Sequence, residues 1–188
     1  MTCPDTMLGA GPMKNKGFSL IEILVVMAII AIAGTIVWMS VNTLFGVKAK
    51  QSAKYIFGAL EKTKVEQMTK QGDSWIWLHT GSDGVYLDIY ESGALLENEF
   101  EDGNRIGDKQ VFVTYTMTGG TGTLDNDGIV LAFNRSDGSF RTVGQAWDLK
   151  APGSPPNPNF YVLITVTSGD TSRSITLYPN TGKFEYTQ

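Results

Sequence analysis

Few side chains in this sequence could carry out catalysis. Its 188 residues include one histidine, His79, and one cysteine, Cys3. A single cysteine can form neither an intramolecular disulfide nor a thiolate metal site, and the sequence offers no third group to orient a Ser-His-Asp arrangement. His79 follows Trp75 and Trp77 at alternate positions, which favours a packed histidine on a strand over a general base. The sequence therefore predicts that the protein is not an enzyme.

Two short motifs partly resemble ligand sites. Asp125-Asn126-Asp127-Gly128 has the composition that begins a calcium loop but lacks the later carboxylate that an EF-hand requires. We predict a turn there and no cofactor, with calcium binding as the less favoured alternative. The segment 118–122 lacks the Lys-Ser/Thr of a phosphate loop, so we predict a flexible loop at 119–122.

Glu22 is the only charged residue in the apolar run 18–47. A membrane-spanning helix needs about 20 mostly apolar residues, and a charge within it is costly enough to indicate function. The run exceeds the apolar part of a secretory signal, and no cleavage site of the A-x-A type follows it. Lys14 and Lys16 precede it, so the positive-inside rule predicts a single-pass protein of the cytoplasmic (inner) membrane with its C-terminal part outside.

Residues 13–34, MKNKGFSLIEILVVMAIIAIAG, resemble the class III leader of type IV pilins and of the pseudopilins of type II secretion. Gly17 precedes the aromatic Phe18, Glu22 is the fifth residue counted from Phe18, and an uninterrupted apolar segment follows. The resemblance implies that a prepilin peptidase cuts between Gly17 and Phe18 and methylates the new amine of Phe18. Translation would then start at Met1 or at Met13.

The same resemblance implies the partners and the location. The partners would be other pilin or pseudopilin subunits, the prepilin peptidase, and an inner-membrane assembly platform with its ATPase. The protein would lie in membrane lipid before assembly and in a filament of the periplasm or cell surface afterwards. Nucleic acid is not expected as a partner, because the net charge is −4 and phosphate binding needs basic surface.

Cleavage after Gly17 gives Glu22 a physical role. It creates a positive amine one helical turn away, and pairing with that amine offsets roughly 2.5 to 3.5 kcal/mol, the cost of an acidic side chain at mid-bilayer. A pair between neighbouring subunits would also set their axial register. Glu22 is therefore predicted to be an assembly residue.

The helix is predicted to continue through 48–71, which is rich in helix formers, and to end at Gly72-Asp73. Together the two halves would be about 80 Å long. The predicted apolar face of the continuation consists of Ala53, Ile56, Phe57, Leu60 and Met68. Its lysine-rich face is predicted to be solvated rather than to bind nucleic acid or lipid. The expected division is a cleaved leader at 1–17, a transmembrane and assembly helix at 18–47, its amphipathic continuation at 48–71, and a β-rich domain at 72–188.

Alternating apolar residues and turn motifs predict an antiparallel β domain after residue 72. The predicted strands are 75–80, 85–90, 111–117, 129–134, 139–143, 160–167, 173–178 and 183–187. Residues 150–159 are predicted to be a stiff proline-rich crossover, with a contact loop as the alternative. The predicted fold class is α+β, with a long N-terminal helix, membrane-spanning in its first half, packed against this domain as in type IV pilins.

The second half of the chain resembles the H-type pseudopilins and related minor pilins. GIVLAFNRSDGSFRTV resembles their central hairpin, and SITLYPNTGKFEY resembles their terminal hairpin. The leading hypothesis is a structural minor subunit of a type IV pilus or type II secretion pseudopilus. The alternative is a binding module at a filament tip that captures a surface, a secretion substrate or DNA, the last through a local basic loop around Arg135 and Arg141.

Overall fold

The computed structural model describes residues 19–92, 94–96 and 104–187, and of residues 35–45, 95 and 96 it describes the backbone alone. The described chain is α+β, as predicted, with helices α1 at Leu20–Thr69 and α2 at Val143–Lys150. Contacts divide the chain into two units, Met1–Met39 and Ser40–Gln188. Within the described residues, no helix is long and apolar enough to cross a membrane.

The second unit contains two antiparallel sheets. In sheet A the strand order is β3-β2-β1-β7, and β4 also pairs with β2; in sheet B the order is β10-β9-β8-β5-β6. The strands are β1 Ser74–Gly81, β2 Gly84–Glu91, β3 Ala94–Leu96, β4 Arg105–Asp108, β5 Val111–Met117, β6 Gly120–Thr123, β7 Ile129–Ala132, β8 Tyr161–Ser168, β9 Thr171–Tyr178 and β10 Lys183–Thr187.

The β1–β2 hairpin forms where the turn motif predicted it, with Gly81 opposite Gly84. Gly84 has a φ of +146°, and a Cβ there would lie 2.0 Å from the carbonyl oxygen of Gly107. Only glycine fits such a position. The predicted terminal hairpin also forms, with Tyr178 opposite Lys183.

One hydrophobic core joins both sheets to the second half of α1. The helix contributes fully or almost fully buried Ala53, Ile56 and Leu60, which confirms most of the predicted apolar face. Met68 was wrongly included in that face, because its side chain is 48% exposed. The prediction missed the polar members of the buried face, Ser52, Thr63, Glu66 and Gln67.

Two predictions for the β domain were wrong. Residues 139–143 were predicted to be a strand, but only the isolated bridge between Phe133 and Phe140 forms, and α2 begins at Val143. Thr142 caps α2 because its hydroxyl accepts from Gln145 N while the Gln145 side chain accepts from Thr142 N. The predicted loop at 119–122 contains most of strand β6, which pairs with β5 through Thr114 and Thr123.

Candidate assembly helix and its anchoring in the β domain

The first turn of α1 is capped by Ser19. The backbone N–H of Glu22 lies 3.2 Å from Ser19 Oγ and 3.0 Å from the Ser19 carbonyl oxygen. Glu22 is the acidic residue of this turn, and a carboxylate near a helix N-terminus is stabilised by the helix dipole. Gly17 and Phe18, the predicted cleavage and methylation positions, lie outside the described residues.

The first part of α1 exposes apolar side chains all around the helix. Its large apolar residues between Leu20 and Ile32 are each between 49% and 81% exposed. They are Leu20, Ile21, Ile23, Leu24, Val25, Val26, Met27, Ile29, Ile30 and Ile32. An apolar surface of this extent marks a site that another apolar surface covers, either lipid or protein. Glu22 lies within this surface.

The second half of α1 is fastened to sheet A near its beginning. Lys48 Nζ lies 2.6 Å from Asp108 Oδ2 and 2.7 Å from Gln110 Oε1. One turn later the buried Ser52 hydroxyl donates to the Ile106 carbonyl oxygen at 2.6 Å. Partial burial alone would raise the pKa of Asp108, but the hydrogen bond and charge of Lys48 outweigh it, so the pKa lies below its ordinary value.

The end of α1 is fastened by a second polar cluster. The fully buried Gln67 accepts from the backbone N–H of Ser74 at 2.6 Å and donates to Asp73 Oδ1 at 3.1 Å. Arg141 forms a 2.7 Å ion pair with the same carboxylate. Burial opposes the effect, but the Gln67 and Arg141 contacts lower the pKa of Asp73. The turn from α1 into β1 is thus stabilised by side chains that accept a hydrogen bond from its backbone and that bond to its carboxylate.

Arg135 also belongs to this cluster and lies at the C-terminal end of the helix. It donates through Nε to the Gln67 carbonyl oxygen at 3.2 Å, and through Nη2 to the Gly72 carbonyl oxygen. The last carbonyl groups of a helix have no intrahelical partner, so a cation that donates to them is stabilising. Arg135 and Arg141, the two arginines of the hypothetical basic loop, therefore bond to the end of α1 and to Asp73.

The lysines of the second half of α1, together with Lys70 directly after its end, fall into two groups. Lys48, Lys64 and Lys70 bond to the β domain: Lys64 Nζ donates to the Gly182 carbonyl oxygen at 2.9 Å, and Lys70 pairs with Glu91 at 2.9 Å. The remaining lysines of the continuation are exposed and form no hydrogen bond or ion pair with a described residue; they are Lys50, Lys54 and Lys62.

His79 is packed within an aromatic column on sheet A. Its ring stacks on Trp77 with centroids 3.7 Å apart, and its Nε2 lies 3.2 Å from Asp88 Oδ2. The opposite face of Trp77 carries the Lys150 ammonium, 3.3 Å from the ring centroid. His79 covers one face of the Trp77 ring and Lys150 the other. The column therefore stabilises the sheet and holds the end of α2 against it.

The loop at Asp125 is organised as a turn. Asp125 Oδ1 accepts from Gly128 N at 2.9 Å, and the Asn126 side chain accepts from Thr80 Oγ1 at 2.9 Å. Gly128 has a φ of +74°, which suits glycine. No group of three or more His, Cys, Asp or Glu side chains that could hold a metal ion is found in the part of the chain that the structure describes.

Comparison with known families identifies the N-terminal segment. Residues 12–38 match the family described as the prokaryotic N-terminal methylation motif. This stretch includes Gly17, Phe18 and Glu22, and it supports the predicted relation to type IV pilins and pseudopilins. No curated protein matches the chain, and no solved structure matches it either.

Proposed function

We propose that this protein is a structural subunit of a type IV pilus or type II secretion pseudopilus, processed by a prepilin peptidase and assembled through α1. The methylation motif at 12–38 is the observation that carries the proposal, because this motif occurs at the start of pilin-like subunits. Subunits of this kind are generally structural. Their work is mechanical, driven by an ATPase that is a separate protein.

The exposed apolar part of α1 suits both stages of that function. Before assembly, lipid of the inner membrane would cover the side chains from Leu20 to Ile32; in the filament, the helices of neighbouring subunits would cover them. In this proposal Glu22 pairs with the methylated amine of Phe18, in its own chain or in a neighbour. The pair sets the register because any other stagger leaves a charge in apolar surroundings.

The β domain would form the outer surface of the filament. Its terminal hairpin, β9 and β10, lies where the resemblance to H-type pseudopilins places one, and this supports a minor subunit of that type. The alternative, a tip module that captures DNA, would need basic side chains free to contact phosphate, whereas Arg135 and Arg141 bond inward.

Intact-mass analysis of the protein from its native membrane tests the processing. We expect the loss of residues 1–17 and the gain of one methyl group on Phe18. A native chain that keeps Gly17, or whose terminus lies elsewhere, would refute the proposal.

The assembly role of Glu22 is tested by Glu22→Ala. We expect the variant to be inserted and cleaved normally but to be absent from sheared filaments or pseudopili. Glu22→Asp is the matched control, since it keeps a carboxylate at the same position of the helix. Equal incorporation of both variants would show that Glu22 has no role in assembly.

A further inference from the structure

One side of α1 between Val47 and Thr69 is left uncovered by the β domain. Lys50, Lys54, Gly58 and Lys62 follow one another at intervals of four residues on this side, and all are exposed. Residues four apart lie on the same helix face. We call the three lysines the lysine ridge. Val47 and Val65 lie on the same side and are 55% and 60% exposed.

The lysine ridge is unfavourable in an isolated chain. Lys50 and Lys54 are like charges at i and i+4, which destabilise a helix. Gly58 lies in mid-helix, where glycine costs stability, and a Cβ there would meet no atom within 4 Å. Nothing in the described fold requires glycine at this position. This surface combines three lysines that have no partner among the described residues, the exposed Glu61, two exposed valines and a gap at Gly58, and such a surface is suited to a partner.

The charge distribution of the chain indicates the chemistry of that partner. The uncovered side of α1 carries three exposed lysines, Lys50, Lys54 and Lys62, and one exposed glutamate, Glu61, for a net charge of +2. Residues 71–188 carry seven basic and fifteen acidic residues, for a net charge of −8. A cationic helix face and an acidic β domain on the same molecule are complementary between copies, and complementary surfaces favour and orient association.

We propose that the lysine ridge binds the acidic β domain of a second copy of this chain. The contact is heterologous, because a different surface of each copy takes part, and such contacts extend into helical filaments. The inference rests on the proposed function for its setting, and it names the neighbour that this side of α1 meets.

Two other occupants fit the structure less well. Lys62 lies 14 residues beyond Lys48, about 21 Å farther along the helix, whereas the headgroup layer on one side of a bilayer is only about 5 to 8 Å thick. Lipid headgroups at the end of the apolar run would therefore not reach the whole ridge. Nucleic acid would be repelled by the acidic β domain beside it.

Photo-crosslinking of the full chain in its native membrane tests the contact. The probe is Val65→p-benzoylphenylalanine, placed on the uncovered side one turn beyond Lys62. We expect an adduct of two copies, with the crosslinked peptide between residues 71 and 188 of the second copy. Adducts formed only with lipid, only with nucleic acid or only with a different protein, or no adduct, would overturn the proposal.

A pair of double variants isolates the electrostatic part. In the presence of the probe, Lys54→Glu/Lys62→Glu should lower the yield of the two-copy adduct about tenfold, as expected for the loss of two exposed ion pairs. Lys54→Arg/Lys62→Arg keeps both charges at the same positions and should leave the yield within about twofold. Equal effects of the two variants would overturn the ridge as the binding surface.

Intact mass measured on the same sample separates this proposal from the proposed function. A chain that is cleaved after Gly17 but forms no two-copy adduct refutes the lysine ridge alone. A chain that is not cleaved but forms the adduct, with the charge dependence above, refutes the processing alone.

Discussion

Gln67→Leu is the sharpest test of how the assembly helix is joined to the β domain. Gln67 is fully buried, and its amide carries a 2.6 Å bond from the Ser74 backbone and a 3.1 Å bond to Asp73. Leucine has nearly the same volume, so the substitution removes hydrogen bonds without opening a cavity. Its effect on stability therefore measures the polar junction itself.

The expected loss follows from the burial of the two partners. Ser74 is 1% exposed, and leaving its N–H without an acceptor costs about 1–3 kcal/mol. Asp73 is different, because its side chain is 48% exposed and water replaces the lost donor, so that bond contributes about 0.5 kcal/mol or less. We expect the free energy of unfolding to fall by about 2 kcal/mol in total.

Urea unfolding of the detergent-solubilised full chain measures this loss. Trp75 and Trp77 lie on β1, directly after Ser74, so tryptophan fluorescence reports the strand that the junction fixes. Gln51→Leu is the matched control: Gln51 is an exposed glutamine of the same helix, and its one hydrogen bond to a described side chain is donated to the Tyr55 hydroxyl at 2.8 Å. The control should change stability by less than about 0.5 kcal/mol. If the two variants unfold at the same urea concentration, the Gln67 amide does not stabilise the junction.

Two further predictions concern stability. Gly58→Ala should raise the free energy of unfolding of the unassembled chain by about 0.5–1 kcal/mol, because alanine is the better helix former and the site is open. Gly46→Ala is the comparison, because a Cβ there would lie 3.3 Å from Thr171 Oγ1. Its free energy of unfolding should rise less in the same urea titration. Asp73 and Asp108 have pKa values lowered in the folded chain, so their contribution is present above their unfolded pKa of about 4 and is lost as the pH falls through the folded values. Asp73→Asn/Asp108→Asn should accordingly flatten the loss of stability as the pH falls below about 4, and an unchanged pH profile would contradict the assignment.

The parts of the fold that the sequence predicted are those with a local signal. Ala53, Ile56 and Leu60 repeat at the helical period, and Trp75 to Thr80 alternate at the strand period, so each element could be recognised from its own residues. The β1–β2 and β9–β10 hairpins were found for the same reason, since their turns contain glycine at the required positions. The motif around Gly17 and Glu22 is equally local, and a family comparison matches it.

The missed helix α2 also had a local signal. Thr142 and Gln145 have the spacing of a capping box, and the structure shows both of its hydrogen bonds. The apolar residues Phe140 and Val143 were interpreted as the end of a strand instead. Helix α2 has only eight residues, and so short an apolar pattern does not distinguish the helical period from the strand period.

The polar junctions could not be predicted, because their partners are distant in the sequence. Ser52 bonds to the Ile106 carbonyl group, 54 residues away, and Arg135 bonds to the Gln67 carbonyl group, 68 residues away. A serine or glutamine in a helix predicts a solvated position when it is read alone. Only the fold shows that Ser52 and Gln67 belong to the buried face.

The positions of these junctions suit the proposed role, in which the subunit is pulled by its helix. With one cysteine in the whole chain, no intramolecular disulfide can join α1 to the β domain, so noncovalent contacts would carry the force in that role. The polar ones lie at both ends of the buried segment: Lys48 and Ser52 at its beginning, and Gln67 at its end. Sliding the helix by one turn, about 5.4 Å, would break all three at once and leave buried polar groups unpaired. Apolar packing alone tolerates such a shift more easily because it is not directional. The junctions therefore fix the axial position of the helix against the β domain, which is the property that transmits an axial pull.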